Sequence, residues 1–193
     1  MLVAGVYIGP AGDAGPILAP LQQLGTPLAD MTATVPYVES QSGVDPLFPD
    51  GGRYYWKSHF VDDMTDELID TLVTVDAERP TPESVIMIRT LGGAIGHVAD
   101  HETAYPHRSA GFNVSVDASW HDPALDDTAI GWARSTWDAL APYATGGVYL
   151  NFAGLGDDTD LRATALGTND SRLDEIRRAY DPSGLFDAAA HRP

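Results

Sequence analysis

Two short stretches of this chain place reactive side chain types at the spacing of one strand face. In GFNVSVDASW (111–120), Asn113, Ser115 and Asp117 recur at every second residue, opposite Phe112, Val114 and Val116. In GGVYLNFAG (146–154), Tyr149 and Asn151 share a face, opposite Val148, Leu150 and Phe152. Side chains alternate across a strand, so both patterns predict a polar face backed by an apolar one. Asn is depleted in strands because its side chain competes for backbone hydrogen bonds, which makes a phenol and an amide side by side worth explaining. A carboxylate can accept a proton, and a phenol can do so where a neighbour assists its ionisation.

A third polar face comes from RYYWKSHFV (53–61), where Arg53, Tyr55, Lys57 and His59 alternate with Tyr54, Trp56, Ser58 and Phe60. Lys57 is the only lysine of the chain. It can fix an anionic substrate group or pair with a structural Asp. HVADHE (97–102) offers His97 and His101 at helical spacing for a metal, the basis of a metal-dependent hydrolase reading. The glycines just before it favour a polar loop instead. IGPAGDAGPI (8–17) spaces its glycines G-x-x-G-x-x-G, not as a dinucleotide turn, and no G-x-S-x-G occurs.

The elements that must carry these residues follow from hydrophobic period and capping. Strands are predicted over 2–9, 53–61, 84–93, 111–120 and 146–154, with a short strand at 95–100 beside the third. Helices are predicted over 15–25, over 65–78 with Thr65 as cap, over 122–143 with Pro123 near its start, and over 158–167 and 170–180. Ala129, Ala133, Trp137 and Leu140 form the inner stripe of the long helix. Residues 26–52, rich in Pro, Gly and Asp, are expected to be mostly irregular. Strands 84–91 and 111–120 follow one another with no helix between them. The expected fold is therefore α+β, a mainly antiparallel sheet covered by helices on one face.

Composition narrows the function classes. The 193 residues carry a net charge of −17, which disfavours nucleic acid and anionic membrane surfaces as partners. There is no cysteine, so disulfides, thiolate catalysis and zinc–thiolate sites are excluded. No apolar run is long enough to span a bilayer, and the N-terminus lacks the basic region of a signal peptide, so a cytoplasmic location is expected. The Asp-rich, Lys-poor balance fits either a GC-rich coding bias or adaptation to high salt. The second predicts stability that rises with added salt as screening relieves self-repulsion.

Together, RYYWKSHF (53–60), LGGAIGHVADHETAYPHR (91–108), Trp120 ahead of a helix ending WDALAPYATGGVYLNF (137–152), and YDPSGLF (180–186) resemble the carboxy-terminal half of flavin-linked oxidases. These are the berberine-bridge-enzyme-like members of the vanillyl-alcohol-oxidase superfamily. The resemblance covers nearly the whole chain, with the motifs in the family's order. It implies that residues 1–145 are a substrate-binding domain whose antiparallel sheet roofs a flavin. It implies that 146–193 are a berberine-bridge-type C-terminal segment, largely helical, that packs on a flavin domain this chain lacks. It also implies the chemistry: FAD-dependent oxidation of an alcohol-type substrate, with a base taking the hydroxyl proton and a hydride passing to flavin.

Tyr149 and Asn151 match the family's Y-x-N motif, which implies Tyr149 at the reacting centre and Asn151 beside the cofactor. The base is expected at Tyr149, where a neighbouring group assists its ionisation, or at Asp117, with Ser115 as the register alternative for the place of Asp117. Tyr55, Lys57, His59 and Ser115 are expected to contact substrate. His107 and Arg108 fall in the family's P-H-R turn and are expected to be structural. The family continues past LF with asparagine-rich sequence, whereas this chain reads DAAAHRP (187–193). Flavin binding is therefore expected to need a separate FAD-domain chain or self-association. The competing reading is a non-catalytic interaction module that keeps the fold alone.

Overall fold

The structure, a computed structural model, describes residues 1–152 and 161–186, with the side chain of Leu161 left out. Part of the predicted strand at 146–154, the start of the predicted helix at 158–167 and the DAAAHRP tail lie outside the described residues. Contacts divide the chain at Pro49 into two compact units.

The first unit, Met1–Pro49, contains α1 (Ala14–Gln22) and α2 (Tyr37–Ser42) with short 3-10 turns. Helix α1 falls where Pro16 and Gly25 bracket it. The predicted strand at 2–9 does not form, since these residues have no regular structure. An apolar run becomes a strand only where a neighbouring strand accepts its backbone bonds, and the first unit contains no strand. No residue of this unit is buried, and Leu2, Val6, Ile8, Leu28 and Met31 stand exposed.

The second unit is built on a three-stranded antiparallel sheet, β1 (Arg53–Val61), β2 (Val85–Thr90) and β3 (Phe112–Trp120), in the order β1-β3-β2. The α+β expectation holds. Val85–Thr90 and Phe112–Trp120 pair directly, as the missing helix between them required. The predicted strand at 95–100 is instead a run of turns and bends, after Gly92 and Gly93 take φ values of 103° and 49° that break extended backbone.

Helices α3 (Asp66–Asp76) and α4 (Asp126–Leu140) cover one face of the sheet. Thr65 caps α3 by accepting the Leu68 amide at 3.3 Å. Thr65→Ala is expected to cost about 1 kcal/mol of stability in chemical denaturation. Asp126, at the start of α4, accepts both Arg53 Nε at 2.6 Å and the Trp120 indole at 2.7 Å, fixing the helix to two strand ends.

The core between helices and sheet contains Leu68, Leu72, Val114, Val116, Ala118, Trp120, Ala129, Ala133 and Leu140. The α4 stripe differs in one place from the sequence reading. Trp132 is buried and donates to Val75 O at 3.0 Å, whereas Trp137 is only partly covered.

After β1 receives the Thr145 amide on Phe60 O at 2.9 Å, Gly146 turns the chain away at a φ of 87°. Over its described residues, 146–152, the predicted strand therefore does not form, and Leu150–Phe152 make a 3-10 turn. Gly147 reinforces this, since a β-carbon there would lie 2.4 Å from the His107 ring. Beyond it, α5 (Leu161–Leu166) and α6 (Asp170–Tyr180) form as expected, with Pro182 just past the end. Tyr180, Leu185 and Phe186 are exposed. Among the described residues, no helix is long and apolar enough to cross a membrane.

Candidate functional site

The sheet face opposite α3 and α4 carries an unusual load of buried polar groups. Register places Trp56 across from Asp117, Ser58 across from Ser115 and Phe60 across from Asn113 on β1 and β3. On the other side of β3, Met87 faces Ser115 and Arg89 faces Asn113. Paired residues project to the same side, so these eight form one surface. The chain then returns over it. Phe152 lies 6.5 Å edge-on from Trp56 and 4.5 Å from the Arg89 guanidinium. Tyr149 packs against Phe152 at 5.3 Å and against Tyr105 at 6.3 Å, and Phe60 stacks with His107 at 4.5 Å.

Asp117 is the chemical centre of this face. It is 2% exposed, and Ser115, which donates to its Oδ2 at 3.1 Å, is fully buried. Asp117 Oδ1 is buried with no hydrogen-bond partner, as are Ser58 Oγ and Ser119 Oγ on the same face. Burial pushes the Asp117 carboxyl above the usual carboxylate range, opposed by the Ser115 hydrogen bond and the Arg89 charge. Unpartnered buried polar atoms are rare in folded proteins and each calls for a reason.

Tyr149 and Asn151 meet, although not by strand alternation. The 3-10 turn brings the Asn151 amide within 2.9 Å of the Tyr149 oxygen, as donor to it. The amide thereby occupies a lone pair of the phenol and leaves its proton free to point elsewhere. Tyr149 and Asn151 thus lie on the segment that covers the Asp117 face.

Tyr55, Lys57 and His59 are placed elsewhere, on the face packed under α4, so the structure does not bring them together with Ser115 and Asp117. Alternation allowed either face to be the covered one, and the apolar partners Val114, Val116 and Ala118 decided it. Tyr55 OH accepts Arg134 Nε at 3.2 Å. The Lys57 ammonium lies 4.0 Å from the centre of the Trp137 ring, on which His59 also stacks.

His59 Nε2 donates to Trp137 O at 2.9 Å, and burial is the main cause lowering its pKa. A depressed folded value means the neutral ring stabilises the fold above the ordinary histidine pKa, and that stability is lost as pH falls through the folded value. Thermal unfolding from about pH 7.5 down to about pH 5 is expected to show a smaller acid-induced fall in Tm for His59→Gln than for the parent chain.

His107 and Arg108 make structural contacts. His107 donates to Ala165 O at 3.0 Å, while Arg108 reaches Tyr105 O at 3.1 Å and Ile95 O at 3.3 Å. His97 and His101 lie in turns rather than on a helix, and among the described residues no cluster of three or more metal-ligating side chains occurs. Arg89, Trp56, Tyr105 and Phe152 were not singled out by the sequence. The one available signal was Arg89, a lone charge in the apolar run SVIMIRT.

No protein-family model matches the chain. An FAD-linked oxidoreductase of Dictyostelium discoideum is 23% identical over 189 residues, which is 96% of this chain and 41% of that protein. Berberine bridge enzyme-like C-2 of Nicotiana tabacum is 29% identical over 136 residues, 64% of this chain and 24% of its own length. The structure of a berberine-bridge-enzyme-like protein of Arabidopsis thaliana, number 28, superposes with a TM-score of 0.70 at 20% identity, over 93% of this chain and 44% of that one. The chain spans about two fifths of the length of the curated relatives that it matches along nearly all of itself. Along nearly all of its length this chain is similar to FAD-linked oxidoreductases, and over about half to two thirds of it to berberine-bridge-enzyme-like proteins, whose fold it shares.

Proposed function

We propose that this chain provides the substrate-facing sheet of an FAD-dependent oxidoreductase that oxidises an alcohol-type substrate. The observation that carries this reading is Asp117, a buried carboxylate with one oxygen held by Ser115 and the other unpartnered, on a face lined by Trp56, Phe152 and Tyr149. A base must lie within hydrogen-bond reach of the proton it takes and have a free lone pair to take it with. Asp117 Oδ1 fits that role. As the substrate hydroxyl proton passes to Asp117 Oδ1, the carbinol C–H bond breaks with its electron pair and a carbonyl forms. FAD, when bound, supplies the acceptor for that hydride.

The residues present suit the ring half of FAD. Aromatic side chains and neutral polar groups offer a surface for a planar heterocycle and a hydroxyl-bearing substrate. Arg89, the cation of this face, is already engaged with Ser115 and Phe152, which leaves it poorly placed for a diphosphate. Holding the diphosphate therefore falls to a portion outside this chain, in line with its two-fifths span of its relatives. In this reading the segment from residue 146 onward packs on that portion, either as a separate FAD-domain chain or in a self-associated assembly. The exposed Leu150, Ile176, Tyr180, Leu185 and Phe186 support such a contact. The Asn151 amide and Tyr149 phenol then stand at the ring and the reacting carbon.

The test is a flavin titration followed by fluorescence, with and without the FAD-binding portion of a relative added in trans. Binding that strengthens with the added portion and is weakened in Asn151→Ala is expected. A folded chain that never engages flavin in either arm would overturn the proposal in favour of an interaction module.

A further inference from the structure

Asp117 is one end of a chain of contacts whose direction is fixed by chemistry. Arg89 Nη1 lies 2.8 Å from Ser115 Oγ, and Ser115 Oγ lies 3.1 Å from Asp117 Oδ2. A guanidinium can only donate hydrogen bonds, so Ser115 accepts from Arg89. Its single proton is then committed to Asp117 Oδ2. The guanidinium is itself held in place: it reaches Met87 Sδ at 3.2 Å and Asn113 Oδ1 at 3.5 Å, and the Phe152 ring lies 4.5 Å from it. β3 places Asn113, Ser115 and Asp117 in a row on one face, and β2 brings Arg89 beside the first two.

We propose that Arg89 is a positioning residue for Asp117, acting through the Ser115 hydroxyl to anchor Oδ2 and reserve Oδ1 as the proton-accepting atom. The proposal rests on the reading of Asp117 as the base and assigns its geometry to a residue two hydrogen bonds away. Without the relay, the Ser115 hydroxyl is free to rotate and the carboxylate can turn either oxygen to it. With it, a positive charge stands one hydroxyl away from a buried carboxylate that has no other ionic partner on its own strand face.

Other titratable groups also border this face. They are Tyr54 from β1, Tyr149 from the covering turn, and Tyr105 and His107 from the loop ahead of β3. Of these, His107 is stacked on Phe60 and bonded to Ala165 O, and burial lowers its pKa. Arg89 is thus the charged group that opposes the burial of Asp117.

The experiment follows the Asp117 carboxyl carbon against pH by NMR in the full chain labelled with 13C-aspartate. It uses the parent, Arg89→Met, Arg89→Lys, Ser115→Ala and the Arg89→Met/Ser115→Ala pair, each verified as folded by circular dichroism. The expected result is an upward shift of the Asp117 midpoint in Arg89→Met and in Ser115→Ala. Arg89→Lys should return it part of the way, and the double variant should shift by less than the sum of the two single shifts, the remainder being the direct field of the Arg89 charge. Such non-additivity is the mark of residues acting in series.

An unmoved midpoint in Arg89→Met would overturn the proposal. So would an Arg89→Met shift of equal size with and without Ser115, since that is a direct field and not a relay. If Arg89→Met does not fold, the comparison of Arg89→Lys with and without Ser115 decides the matter by the same criterion. These titrations need neither flavin nor substrate. Their failure would leave the base assignment standing, whereas full turnover by Asp117→Asn would remove the base assignment and leave the relay intact.

Discussion

Asp117→Asn is expected to slow substrate oxidation by the flavin-loaded assembly about 100- to 10,000-fold, the usual worth of a positioned general base. The fold should survive it. Asn keeps the oxygen that accepts from Ser115 and removes only a charge that the protein buries at a cost. The pH dependence separates the two effects. The folded pKa of Asp117 lies above its unfolded value, so the native state binds the extra proton. Stability then falls as pH rises from the ordinary Asp value, near 3.9, through the raised folded value. Above that window Asp117→Asn is expected to be as stable as the parent or more so in urea denaturation, while turnover is largely lost. A variant that lost stability and turnover together would mark Asp117 as a structural carboxylate.

The second large effect concerns the layer that holds the sheet in place. Leu68 is fully buried on α3, the helix that packs against α4 and β2, and Leu68→Ala is expected to cost about 2–5 kcal/mol, combining lost burial with a residual cavity. The adjacent Ile69 is 43% exposed, and Ile69→Ala should cost far less. Equal losses at the two positions in equilibrium denaturation would mean that α3 does not present the face described here.

The sheet itself was legible because its signals are local. RYYWKSHFV, SVIMIRT and GFNVSVDASW read as strands in sequence and are strands in the structure, and Thr65 caps the helix it was expected to cap. The face of β1 that meets the helices was not legible. Tyr55, Lys57 and His59 look like a polar lining, yet each has a body that packs and a tip that finds a partner under α4, and Val114, Val116 and Ala118 across the sheet decide the side. The Tyr149–Asn151 pairing was anticipated for the wrong reason. Alternation suggested a shared strand face, whereas Gly146 stops the pairing with β1 and a 3-10 turn produces the contact.

Arg89 escaped notice because its meaning depends on register. Only when β2 lies beside β3 do its guanidinium and the Ser115 hydroxyl meet. The N-terminal run LVAGVYIG shows the same limit from the other side, as a strand pattern that takes no regular structure.

The central claim is that the sheet face carrying Asp117, and not the face under α4, meets the flavin-bearing portion. It is tested most directly by NMR on the chain with 15N-labelled tryptophan and arginine, titrated with the FAD-loaded portion of a relative. The account predicts that the Trp56 indole and the Arg89 Nε–H signals shift. The indole signals of Trp132 and Trp137, which donate to Val75 O and Ser58 O, should stay in place. Shifts confined to Trp132 and Trp137, with Trp56 and Arg89 unmoved, would contradict it.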